Sequence, residues 1–343
     1  MWNWIKDKFN KLKSISYDWL PLSGMVLIVY MIQRGFSAIA KSGVVEMNLK
    51  QGMGIFFTTV SLSVLALGFM SDRVKAHYLI AAATFAGVLG ILGAAFNMWL
   101  FGIGLGLAAA AVKILPFAVP LKNKDSEIDS LRVAPQASAK TFGSALFYLL
   151  LAAVVKAAGF SMFAAAAAAL FAFFGTWASF AVKDHSFKLL SWSKTKVAEL
   201  LKTPKWWYWT AWHTIIGCVY YLCITKVIPA FMTFGMTKME AIYAFGIAAL
   251  STALLRWPGA WLGTKIGYWR AMLIAGVWQL ANIWLLINHP IIGLPSFFIG
   301  IQLNTQNYWA CAKEWFKGDK LGTAIGMAFV ITYIALGFTF GRW

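Results

Sequence analysis

Four basic side chains lie inside long apolar runs, where an ionised group is costly and is a candidate for function. They are Arg34, Lys113, Lys226 and Arg256, and Arg34 and Lys226 are 192 positions apart. A guanidinium offers a planar fork of donors and an ammonium a compact charge, and both bind carboxylate or phosphate groups. Cations gathered without an acid among them would attract an anion.

Acidic residues do not accompany these cations. All twelve aspartates and glutamates fall in predicted loops, termini or span ends, so the usual proton-relay carboxylate is missing from mid-membrane. Amides at helical spacing occur in a late apolar run, and some of them can share a face with the cations. These are Gln302, Asn304, Gln306 and Asn307.

Each candidate also has a structural interpretation. Lys226 is close enough to a membrane surface to extend its ammonium into water. Lys113 can cap a carbonyl or pair with a lipid headgroup, and His213 can form a structural hydrogen bond instead of carrying a proton. Cys218, Cys223 and Cys311 lack metal-ligand spacing, so we expect buried thiols and no metal site.

The elements that hold these residues are predicted to be membrane-spanning helices. Apolar residues make up 60% of the 343 and charged ones only 12%, with a mean hydropathy of +0.69; soluble domains carry about 25% charged residues. The runs are long enough to span a bilayer. Eleven spans are predicted, at 22–41, 51–71, 77–97, 99–120, 141–161, 162–182, 206–231, 239–262, 268–288, 290–310 and 321–341.

The net charge of +18 reflects topology and not nucleic-acid binding. Of the 30 lysines and arginines, 21 lie at the N-terminus and in alternate loops, and five lie on the opposite side. This asymmetry predicts a cytoplasmic N-terminus. We expect the protein in a plasma membrane, the inner membrane of a bacterium. Residues 1–16 resemble an interfacial amphipathic helix. Residues 183–205 are predicted to form a cytoplasmic linker, followed by an interfacial aromatic belt at 206–209.

An internal repeat appears when the sequence is shifted by 192 positions. Gly54 then aligns with Gly246, and Arg73 with Lys265. The offset places span 1 on span 7 and span 2 on span 8. Parallel repeats of six spans are typical of many secondary transporters, with the binding site at the repeat interface.

The loops at these positions resemble the signature of the major facilitator superfamily. The run from Gly68 to Lys75 keeps the glycine of that signature and its acidic and basic pair, Asp72 and Arg73, whereas Lys75 replaces the second glycine. The second copy, from Gly259 to Arg270, keeps Lys265 and a glycine but has Thr264 at the acidic position. The resemblance covers all but the end of the chain, where a twelfth span is expected and is missing.

The resemblance implies a two-half transporter fold whose spans 1, 4, 7 and 10 line a central cavity. It implies a latch between the halves at these loops, with Asp72, Arg73, Lys265 and Arg270 as its candidates. The run Arg256-Trp257-Pro258-Gly259 resembles the eighth span of nitrate/nitrite porters, although the partner arginine of those porters is replaced by Val64. Residues 30–34 loosely resemble the first span of organophosphate/phosphate antiporters.

The sequence thus predicts an all-α integral membrane protein with an interfacial helix (1–16), a six-helix half (17–182), a linker (183–205) and a five-helix half (206–343). We expect a secondary transporter that moves a small anion by exchange or uniport, without a cofactor and without enzymatic activity. The substrate site is predicted at Arg34, Lys113, Lys226, Arg256, Gln302 and Asn304. The alternative is a transport-inactive subunit or assembly factor, with a membrane-protein partner at the position of the missing twelfth helix.

Overall fold

The computed structural model describes residues 6–7, 19–41, 49–93, 96, 98–121, 129–146, 159–182, 195–316 and 320–340. The predicted interfacial helix at 1–16 lies almost wholly outside these residues. Helices and short turns, and no strand, make up the described part of the chain.

The described helices fall into two groups along the chain. The first group is α1 (Trp19–Lys41), α2 (Leu49–Ser71), α3 (Ala76–Gly93), α4 (Met98–Leu121), α5 (Asp129–Leu146) and α6 (Phe160–Ala181). The second group is α7 (Thr195–Leu201), α8 (Pro204–Thr233), α9 (Lys238–Ala253), α10 (Arg256–Ile266), α11 (Tyr268–Ala281), α12 (Ile283–Asn288), α13 (Pro290–Phe316) and α14 (Leu321–Phe340). We call α1–α6 the first half and α8–α14 the second half.

Several helices are long and apolar enough to cross a bilayer. Within the described residues, five segments meet this condition by length and composition, and α9 with α10 make a sixth if they form one span. That pair bends by 44° where α9 ends and α10 begins, which places Arg256 at the first position of α10. The five segments are Gly54–Ser71, Ala76–Gly93, Gly102–Leu121, Ser161–Ala181 and Tyr268–Asn288.

Helix α5 differs most from its prediction. The sequence predicts a polar connection at 121–140 before a span at 141, but residues 129–140 already belong to α5 and most of its residues are buried. Its hydroxyl groups find partners in the second half: Ser130 donates to the carbonyl of Ala260 at 2.8 Å, and Ser138 to that of Ala253 at 3.4 Å. Because α5 faces protein and not lipid, its polar residues do not prevent burial.

Glycines bring α2 and α14 together across the two halves. A Cβ on Gly68 would lie 2.6 Å from the carbonyl oxygen of Gly322 and 2.7 Å from the Cα of Gly326. Small residues permit this approach, and backbones this close gain extensive van der Waals contact in a membrane. The two halves are therefore in direct contact along this helix pair.

The aromatic run at the start of α8 only partly matches the predicted belt. Trp207 and Tyr208 are exposed, but Trp206 and Trp209 are fully buried. The Trp206 indole donates to the carbonyl of Ala324 and the Trp209 indole to that of Tyr308, both at 3.1 Å. These two rings anchor α8 inside the second half.

Candidate functional site

A cavity of about 120 Å³ lies where the two halves meet. Its walls come from α1, α4 and α5 of the first half and from α8, α9, α10, α11, α13 and α14 of the second. A site between the halves is the arrangement expected for a repeat-built transporter fold.

Three cations line this cavity: Lys113 on α4, Lys140 on α5 and Arg256 on α10. Lys113 and Arg256 are buried, and Lys140 is partly buried. Among the described residues, no aspartate or glutamate lines the cavity. The site is therefore a positively charged chamber with walls from both halves.

A hydrogen-bond chain holds Arg256 in place. Its Nη2 donates to Thr141 Oγ1 at 3.0 Å, and its Nη1 donates to the carbonyl of Ile301 at 3.4 Å. Thr141 in turn donates to Gln302 Oε1 at 3.3 Å, and Gln302 Nε2 donates to Thr252 Oγ1 at 3.3 Å. Arg256 thus spans the interface between the halves, whereas the Gln302 amide is occupied by protein partners.

Aromatic faces support the two lysines. Lys113 Nζ lies 4.3 Å from the ring centre of Tyr333 on α14, and Lys140 Nζ lies 5.1 Å from that of Tyr30 on α1. A desolvated cation–π contact contributes about 2 kcal/mol. Insertion scales give about 2.5–3.5 kcal/mol for a cation at mid-membrane, so these contacts offset only part of that cost.

Stacked rings form one side of the cavity, which we call the aromatic floor. Phe117 stacks on Trp309 at 4.6 Å, Trp309 on Phe329 at 5.5 Å, and Tyr308 on His213 at 4.2 Å. All five rings line the cavity. His213 is enclosed by this stack, which favours the structural interpretation of that residue.

Four of the six predicted substrate residues line the cavity. Lys113, Arg256, Gln302 and Asn304 all line the cavity. Lys226 does not: it is exposed on α8, beyond the lining residues of that helix. Arg34 belongs to α1, but its side chain lies outside the described part.

Lys140 lines the cavity but is not among the site residues that the sequence predicted. It was assigned to the connection at 121–140 because the residues around it are too polar for a lipid-facing span. The burial of polar residues along α5 shows why this assignment was wrong. The signal that could have found it is the repeat itself, since the offset of 192 places residues 129–149 on the predicted span at 321–341.

The predicted latch residue Asp72 joins the two halves at one end of the molecule, which we call the Asp72 end. Its carboxylate is buried and accepts hydrogen bonds from the backbone N–H groups of Gly322 at 3.0 Å and Thr323 at 2.6 Å. These amides form the first turn of α14, where the helix dipole favours a negative charge. Arg73 donates to the carbonyl of Phe69 at 2.8 Å and reaches Thr323 Oγ1 at 3.5 Å.

The basic residues of the second signature copy are exposed, unlike Asp72 in the first copy. Lys265 and Arg270 are exposed beside the α10–α11 turn, which Gly267 forms with a φ of 91°. The neighbouring Tyr268 instead accepts hydrogen bonds from the backbone amides of Asp129 and Ser130, at the start of α5. Tyr268, like Asp72, thus contacts a helix of the opposite half.

An ion-pair cluster also joins the two halves at the Asp72 end. Lys313 of α13 lies 2.7 Å from the buried carboxylate of Asp129, and Arg132 lies 3.5 Å from it. Lys313 and Asp129 belong to different halves. Losing one partner of a buried pair is strongly destabilising, so this cluster helps to hold the halves together.

No group of three or more potential metal ligands occurs among the residues that the structure describes. The chemistry of the cavity is that of cations, amides and aromatic rings.

The architecture of this chain is similar to that of several solved transporter structures. The chain superposes on the E. coli fucose:proton symporter FucP with a TM-score of 0.70 at 12% identity, covering 95% of this chain and 88% of that one. For FucP in the outward conformation the TM-score is 0.72 at 11% identity, covering 95% and 91%. For the proton:xylose symporter XylE bound to 6-bromo-6-deoxy-D-glucose it is 0.66 at 12%, covering 93% and 85%.

No protein-family model and no curated protein matches the sequence. At 11–12% identity the structural likeness shows the fold alone. The protein has the all-α, two-half membrane fold of the major facilitator superfamily, as the loop signature predicted.

Proposed function

We propose that this protein is a secondary transporter that moves a small anionic solute by alternating access. The observation that carries the proposal is the cavity between the halves, lined by Lys113, Lys140 and Arg256 and, within the described residues, by no acid. A bound anion would balance cations whose burial is otherwise costly. We keep Arg34 as a candidate because it lies one helical turn from Tyr30, which lines the cavity.

Both halves contribute cations to the cavity, which suits an alternating-access cycle. Lys113 and Lys140 belong to the first half and Arg256 to the second, so an anion between them would interact with both. Asp72 and Asp129 join the halves at the Asp72 end, and we infer that these contacts close one entrance to the cavity. We infer that the Asp72 end is cytoplasmic, from the distribution of lysines and arginines.

We propose that the protein works by exchange or uniport and not by coupling to protons. FucP and XylE are named as proton symporters. Here a proton-carrying carboxylate is absent from the described cavity lining, and His213 is enclosed by aromatic rings. Transport should therefore respond to an anion gradient and not to a proton gradient.

Reconstitution into liposomes tests the proposal. Vesicles preloaded with a small anion should take up the same labelled anion from outside, and Lys113→Met and Arg256→Gln should each abolish this uptake. The rival function, a transport-inactive subunit or assembly factor, predicts that the wild-type protein moves nothing and that Arg34→Ala disrupts assembly with partners. Inactive wild-type vesicles that contain folded protein would support that rival.

A further inference from the structure

Buried polar atoms without hydrogen-bond partners indicate which donors and acceptors the ligand must supply. Five cavity-lining residues carry a buried side-chain atom that has no hydrogen-bond partner among the described residues. An unpaired buried polar group loses its hydration without compensation, so a ligand or water is expected to satisfy it. The atoms are Arg256 Nε, Trp212 Nε1, Gln279 Nε2 and Oε1, Asn304 Oδ1 and the Tyr308 hydroxyl.

These atoms include acceptors as well as donors. Arg256 Nε and Trp212 Nε1 can only donate, and they suit an anionic group. Asn304 Oδ1 and Gln279 Oε1 can only accept, and they need a donor from the ligand. An anion such as nitrate offers acceptors alone and would leave both amide oxygens unpaired.

The aromatic floor sets a second condition. Phe117, Trp309 and Phe329 are stacked on one another and line the cavity. An inorganic oxyanion against these rings would lose its hydration and gain no hydrogen bond. Carbon-bound hydrogens pack against such rings favourably, so the ligand should have an apolar part.

The size of the cavity limits the ligand further. An apolar cavity of about 150 Å³ holds benzene, which has six carbon atoms. The cavity here measures about 120 Å³, so a ligand of about six non-hydrogen atoms is expected to fill it.

We propose that the substrate is a short hydroxylated carboxylate, a 2-hydroxy acid with a small apolar group. Its carboxylate lies among Lys113, Lys140 and Arg256, its hydroxyl donates to Asn304 Oδ1, and its alkyl part rests on the aromatic floor. This assignment rests on the proposed function, since it specifies the anion that the site takes. Asn304 distinguishes a carboxylate that has this hydroxyl from one that lacks it. The amide of Gln302 does not serve this role because it is already engaged by Thr141 and Thr252.

Calorimetric binding to the purified protein tests the proposal with four probes: lactate, propionate, inorganic phosphate and nitrate. Lactate and propionate share the carboxylate and differ in the hydroxyl, so lactate should bind at least about tenfold more tightly, which corresponds to about 1.4 kcal/mol. Lactate should also bind more tightly than phosphate or nitrate. Asn304→Leu should bring the affinities for lactate and propionate close together.

The matched control is Asn288→Leu, the same substitution at an exposed position outside the cavity lining. It should preserve the preference for lactate. Equal binding of lactate and propionate by the wild type, or tighter binding of phosphate or nitrate, would overturn the hydroxy-acid assignment and leave the anion transporter standing. Absence of binding for all four anions would overturn both, and this wild-type series does not depend on the folding of any variant.

Discussion

The carboxylate of Asp72 and the backbone N–H of Thr323 are joined across the two halves by a hydrogen bond of 2.6 Å. Asp72 is buried and has its second oxygen on the amide of Gly322. A negative charge at the first turn of a helix stabilises by about 0.3–1 kcal/mol at the surface and by up to about 2 kcal/mol when partly buried. The contact is therefore strong enough to bias a conformational equilibrium.

Neutralising this carboxylate should open the Asp72 end. In a background without native cysteines, Ser130→Cys places a thiol at a position that is fully buried between α5 and α10. Adding Asp72→Asn should increase maleimide labelling of that thiol by about five- to thirtyfold, the effect of 1–2 kcal/mol. Glu240→Gln, an exposed acid at the start of α9, is the control. Unchanged labelling in the Asp72 variant would contradict the latch.

Tyr268→Phe should open the same end by a separate contact. The substitution removes the oxygen that accepts from the amides of Asp129 and Ser130 and leaves the ring in place. We expect the Ser130→Cys reporter to label faster than in the parent and more slowly than in Asp72→Asn, because a neutral acceptor contributes less than a charged one. A Tyr268→Phe variant that labels at the parent rate would show that the contact between Tyr268 and α5 has no effect on closure.

Packing between α2 and α14 should be intolerant of a single added methyl group. Gly68→Ala would place its Cβ 2.6 Å from the Gly322 oxygen, and overpacking of this kind costs about 1–3 kcal/mol. Its melting temperature in detergent should fall. Gly54→Ala on the same helix meets no atom within 4 Å, so it should melt at or above the wild-type temperature; equal melting of the two variants would argue against the close contact.

Lys140 and Lys226 should differ in their effect on anion binding. Lys140 lines the cavity and Lys226 is exposed on α8. We expect Lys140→Met to weaken the binding of lactate at least about tenfold, a loss of about 1.4 kcal/mol, because one of three site charges is removed. Lys226→Met should bind as the wild type does in the same calorimetric assay. If Lys226→Met weakened binding and Lys140→Met did not, the result would support the site predicted from the sequence, which includes Lys226.

The orientation of the chain can be tested at α7. The distribution of lysines and arginines predicts that residues 183–205 are cytoplasmic. Thr195→Cys, with the native cysteines replaced, should react with a membrane-impermeant maleimide only in inside-out vesicles. Labelling from the outer face of intact cells would reverse the assigned topology and the position of the Asp72 end.

The sequence alone identified the membrane class, the fold and part of the cavity. Long apolar runs are a property of the chain itself, so hydropathy located α2, α3, α4 and α6. The loop signature that contains Asp72 and Arg73 is local in sequence, and its resemblance to the major facilitator superfamily implied a contact between the halves. Lys113 and Arg256 were found because a charge within an apolar run is conspicuous wherever the helix faces.

Only the tertiary structure decided which side of each helix meets the cavity and which helices meet each other. Helix α5 is polar because it packs between the halves, so hydropathy, which compares a segment with lipid, placed Lys140 in a loop. Lys226 lies within an apolar run, but the rotation and length of α8 place it at an exposed position. The sequence predicts Gln302 as a substrate ligand, whereas in the structure its amide is bonded to Thr141 on α5 and Thr252 on α9. These outcomes depend on contacts between residues far apart in the chain, and such contacts leave no periodic pattern along a single helix.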